Sequence, residues 1–191
     1  MTVEPEALEW ARWRALGPID TTPYGEAGRA GQVDLVPKGM RVLGAEGRSW
    51  LLGTWPDRAT PAMVREYDVE PLPVERPGET RRALAAALRC CWPHLEGSPW
   101  PGVPAPLASV TGVFVFLSRG DAELLPRWAI GALRRLHESA WVLLDETRGT
   151  VRLGPRVASW PEESLTPLRE MLRRLPAPPS STTDASAGEP T

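Results

Sequence analysis

The sequence predicts an α+β domain: a mixed β-sheet of about five strands with hairpins at its edges, covered by three to four helices. Three observations lead there. Segments 78–92, 122–139 and 160–175 carry apolar residues at helical spacing or strong helix-forming composition. Two continuous apolar runs, SVTGVFVFL (109–117) and AWVLLD (140–145), have the composition of strands buried on both faces. Segments 41–55 and 140–154 are broken by turn residues in the manner of hairpins. A strand–helix–strand–helix–strand order from about 69 to 145 implies crossover connections and a partly parallel sheet, with α/β as the alternative class.

The elements follow in order. Residues 5–16 place Pro5, Glu6 and Glu9 early and Arg12 and Arg14 late, the charge polarity of a short helix, with Trp10, Trp13 and Leu16 on one stripe. Glycine and proline make 17–40 an irregular connection. Residues 41–55 form the first hairpin, and 61–68 suffice for one helical turn. The three prolines of DVEPLPVERP leave at best an edge strand. GETRRALAAALRCCW (78–92) is the clearest helix of the first half and is stopped by Pro93. Five prolines between 93 and 109 predict a long loop, of the kind that is usually functional or mobile.

The run 109–117 is the strongest strand, and SRGDAELLPRW leads from it into a helix over 122–139 that tolerates Pro126 only in its first turn. A second hairpin pairs 140–145 with 150–154. Ser159-x-x-Glu162 has the capping-box spacing and opens a last helix that ends near Leu175. The globular domain is therefore 1–175, and the Pro/Ser/Thr-rich stretch 176–191 is a disordered tail.

Composition narrows the function. A net charge of −2 argues against a nucleic-acid partner, and against a polybasic membrane anchor. No run is apolar enough to span a bilayer, and the acidic first residues do not resemble a secretion signal, so the expected location is cytoplasmic. Arginine supplies all but one of the 22 basic residues, a trait of GC-rich, bacterial coding.

Cys90, Cys91 and His94 crowd one stretch, and with His137 they are the whole thiol and imidazole inventory. Adjacent helical residues diverge by about 100°, so the two thiols cannot share an ion while the helix persists. Neighbouring Cα atoms, about 3.8 Å apart, do not suit a disulfide either. The reading is one cysteine in the core and no metal or other cofactor. Ser118, Asp121 and Asp145 would gather at strand ends if 109–117 and 140–145 ran parallel. Ser118-x-x-Asp121 is also a cap pattern, with Asp121 itself a possible N-cap. An active site there, as a hydrolase or phosphoryl-handling centre, would need a carboxylate base or a metal on Asp121, Asp145 and Glu146, since neither histidine nor lysine is near.

No convergent catalytic set emerges, whereas tryptophan and arginine, the residues of interface hot spots, are abundant. The expected function is a non-enzymatic, intracellular protein-binding domain of immunity, antitoxin or regulatory-adaptor type. The candidate contact residues are Trp10, Trp13, Trp92 and Trp100, with the basic pair Arg134 and Arg135. The enzyme reading is the alternative.

Overall fold

The computed structural model describes residues 17–21, 40–45, 47–53, 78–160 and 162–178. The expected 5–16 helix, the 61–68 turn, the 68–77 edge strand and the end of the tail lie outside these residues. Among the described residues the chain is an α+β mix of four α-helices and two three-stranded antiparallel sheets. It is not built on one sheet of about five strands.

The first sheet has the order β1–β3–β2, from β1 (Ile19–Asp20), β2 (Met40–Ala45) and β3 (Arg48–Gly53). The expected first hairpin is present, in the register Ala45↔Arg48 to Met40↔Gly53. Helix α1 (Glu79–Cys91) follows, with Glu79 in its first turn and Arg89 in its last, each favourable to the helix dipole. Its Ala83, Ala86 and Ala87 are wholly buried, and these small side chains let neighbouring helices lie close.

The expected strand over 109–117 is helix α2 (Leu107–Leu117). A short apolar run fits a buried strand or a buried helix equally, and only what it packs against decides. Pro104 to Pro106 settle the entry: Ala105–Pro106 form β4, an edge strand as short as its prolines demand, and Pro106 precedes the helix with ψ 135°. Inside α2, Thr111 Oγ1 donates to the Leu107 carbonyl at 2.8 Å, which accommodates a poor helix former. Val110, Val113 and Phe114 then enter a core shared with α1 and with helix α3 (Leu125–Glu138). Pro126 lies in the first turn of α3, as its missing N–H requires.

With 109–117 helical, no strand among the described residues joins the two hairpins, and each hairpin keeps its own sheet. The second sheet has the order β4–β6–β5, with β5 (Val142–Asp145) and β6 (Thr150–Leu153) as the expected hairpin. A 3-10 helix (Pro155–Ser159) leads to α4 (Glu162–Arg173). The core is one cluster between α1, α2, α3 and the second sheet, including Leu88, Leu133, Leu136, Val142 and Val151. Each such side chain contributes about 1.5–3 kcal/mol relative to exposure. No helix among the described residues is long and apolar enough to cross a membrane.

Candidate functional site

The proline-rich loop after α1 is held in place. Val103 N–H donates to the Cys91 carbonyl at 2.8 Å, and Arg169 Nε of α4 donates to the Leu95 carbonyl at 2.6 Å. Arg173 pairs with Glu96 at 2.7 Å. The loop carries Trp100, whose peptide bond to Pro101 is cis. The Trp100 ring meets Trp50 of β3 edge-on, centroids 5.5 Å apart and planes at 89°, a favoured aromatic geometry.

On one side of Trp100 the two hairpins enclose a groove of about 520 Å³. Arg48 and Trp50 line it from the first hairpin, and Leu143, Asp145, Arg148 and Arg152 from the second. His137 of α3 completes the wall. On the other side lies a smaller hollow of about 300 Å³, lined among others by Arg41, Leu43, Trp160 and Arg169. Trp100 is thus a partition common to both.

Arginine outnumbers carboxylate along the groove, Arg48, Arg148 and Arg152 against Asp145 and Glu146. Arg48 stacks over Trp50, 5.0 Å from the ring centroid, and pairs with Asp20 at 2.6 Å. The Asp145 carboxylate accepts the Arg148 backbone N–H at 2.9 Å, with the Arg148 guanidinium 3.8 Å away. Glu146 is engaged by both Nε and Nη2 of Arg134, at 2.8 and 2.7 Å, and this fork of hydrogen bonds holds its carboxyl below the usual range. His137 Nδ1 accepts the Leu144 N–H at 3.3 Å, so the neutral ring carries its proton on Nε2 and acts there as a donor.

The sequence-predicted residues fall in several places. Trp100 stands at the groove, half-buried. Trp92 is 2% exposed, in the core, with Arg169 over its ring at 5.7 Å, so it offers no surface to a partner as the chain is folded. Arg134 is tied to Glu146, and Arg135 bridges helices by pairing with Glu79 at 3.1 Å. Trp10 and Trp13 lie outside the described residues. Arg48, Trp50, Arg148 and Arg152 were not singled out as a site. The signal was an arginine and a tryptophan beside one hairpin turn and an arginine within the other, which becomes meaningful only once the hairpins face each other.

The other constellations do not assemble. Both cysteines are buried, and burial pushes the Cys90 thiol up to about 11 and Cys91 to about 12. Among the described residues no group of three or more His, Cys, Asp or Glu side chains is placed to hold a metal ion. This covers the Cys90, Cys91, His94 and His137 set and the Asp121, Asp145 and Glu146 set. Ser118 ends a helix instead of a strand, and its hydroxyl is buried without a partner. Asp121 caps the following turn: Oδ1 accepts the Glu123 N–H at 2.9 Å and its carbonyl accepts from Leu124 and Leu125. Comparison with protein-family models, curated proteins and solved structures finds no match.

Proposed function

We propose that the chain is a non-enzymatic, intracellular protein-binding domain, of the immunity, antitoxin or regulatory-adaptor type, and that its contact surface is the groove beside Trp100. The supporting observation is the pairing of a half-buried tryptophan wall with donors from Arg48, Arg148, Arg152 and His137. Aromatic and arginine side chains in a pre-formed depression are the usual anchors of an interface. The excess of arginine over carboxylate along the groove favours a partner segment bearing carboxylates. The alternative hydrolase or phosphoryl-handling reading loses its geometric premise, since Ser118 and Asp121 follow a helix and not a strand.

The test is affinity capture from source cells with the wild-type chain, Trp100→Ala and Arg148→Glu. One acidic partner should be retained by the wild type and lost, or weakened at least about tenfold, with each variant. Arg148 has a largely exposed side chain, so its reversal leaves the melting temperature nearly unchanged. Equal capture by all three chains removes the groove as the contact surface.

A further inference from the structure

One face of the first hairpin walls both the groove and the smaller hollow. Side chains two apart on a strand, and those directly opposite on its partner, share a face. Ala45 lies opposite Arg48, and both line the groove, as does Trp50. Leu43 lies opposite Trp50 yet lines the hollow, and Arg41 follows it there. The boundary between the two depressions therefore falls within a single cross-strand pair, Leu43 with Trp50. Trp100, edge-on to Trp50, stands on that boundary. From Ala45 to Leu43 and Arg41 is two to four residues of strand, roughly 7–13 Å at about 3.3 Å per residue.

The two depressions differ in chemistry. Three arginines and His137 face two carboxylates along the groove. The hollow is lined by Leu43, Pro99, Trp100, Trp160 and Leu165, and the charged groups beside them are engaged. Arg169 pairs with Glu162, Glu96 pairs with Arg173, and Arg41 donates to the Ala158 carbonyl. What the hollow offers an incoming group is apolar surface. Its shape is set in advance, because Trp160 packs on Trp141 with ring centroids 5.2 Å apart and α4 holds the loop. Its volume of about 300 Å³ lies at the lower end of ligand-holding cavities and suits one large side chain.

We propose that groove and hollow are two subsites of one surface. The partner is an extended segment with a carboxylate for the groove and, two to four residues away, an apolar side chain for the hollow. Trp100 is the sill that the segment crosses. This rests on the groove being the contact surface, and it adds Leu43 and Trp160 as the residues that select the apolar group. Joining the two groups on one short segment makes the second contact intramolecular, so together they bind more tightly than either alone.

The test is titration calorimetry of the full chain with blocked synthetic peptides. One carries two adjacent glutamates among serine and glycine. The others add a leucine at zero, two, three, four or eight residues from them, on either side. The glutamate peptide should bind weakly, and leucine at two to four residues should tighten it at least about tenfold. The gain should be smaller at zero and at eight. Leu43→Ser and Gly97→Phe should each remove the gain and leave the glutamate peptide's affinity as it was. Gly97 is an exposed residue at the hollow, and a Cβ there meets only the His94 carbonyl, at 3.7 Å. Gly97→Phe therefore fills the hollow without straining the backbone, and it decides the matter if Leu43→Ser lowers the melting temperature. A leucine that adds nothing at any spacing, or a gain that survives Gly97→Phe, overturns the proposal and leaves the groove as the contact surface. Glutamate peptides that bind Arg148→Glu as well as wild type, or no binding by any peptide, remove the groove and this proposal with it.

Discussion

Cys90 and Cys91 are consecutive on α1 and point apart, as helical geometry requires, yet both are buried. The expectation of a single core cysteine fails because α1 is covered from two directions. The helices take one side, and β6 takes the other, where Cys91 Sγ donates to the Val151 carbonyl at 3.4 Å. Burial disfavours the thiolates, so both groups titrate well above the ordinary value of 9.0. Folded chains therefore hold more protons than unfolded ones above pH 9. The thiol contribution to stability is complete below that pH and is lost as pH rises toward about 11 and 12. Urea midpoints should fall across this window in the wild type and fall less in Cys90→Ala/Cys91→Ala. Alkylating reagents should leave both thiols untouched in the native chain at neutral pH and label both in denaturant.

The elements show where local chemistry and packing part company. Helix α1 announces itself by alanine content and its proline stop, whereas α2 has β-branched and aromatic residues that locally favour a strand. Contacts with α1 and α3 override that preference. The end of α3 is a Schellman motif, with Ala140 N–H donating to the His137 carbonyl and Trp141 N–H to Leu136 at 2.8 Å. This puts Ala140 at φ 59°, a conformation that suits glycine. Ala140→Gly should stabilise the fold by about 1 kcal/mol, read as a higher melting temperature. The carbonyl that bounds the motif also forbids a side chain across from it: a Cβ on Gly154 would run into the Ala140 oxygen.

At the scale of the molecule, buried positions carry the stability of the described residues and exposed edge positions contribute little. Phe114 is 1% exposed within the core, whereas Val42 on β2 is 45% exposed. Phe114→Ala should cost about 3–5 kcal/mol and Val42→Ser less than about 0.5, measured as shifts in denaturant midpoint at constant slope. The groove belongs to this scale as well. Its tryptophans and arginines come from β3, the proline loop and the second hairpin, segments that together span about a hundred residues of sequence. Trp100 was visible in advance because it stood beside a long loop. Arg48 and Arg152 were not, since nothing near either residue says that the two hairpins would share a wall.

Local signals alone determined the α+β class, both hairpins, the first, third and fourth helices and the placement of Pro126, because turns, helical periodicity and proline act within a few residues, whereas Ser159 spends its hydroxyl on the Arg156 carbonyl and does not cap the last helix. Tertiary structure decided that 107–117 is helical, that the strands form two sheets and not one, and that Trp92 is core while Trp100 walls a groove. These depend on which surfaces meet, and a short apolar run satisfies a strand or a helix equally until its neighbours are in place.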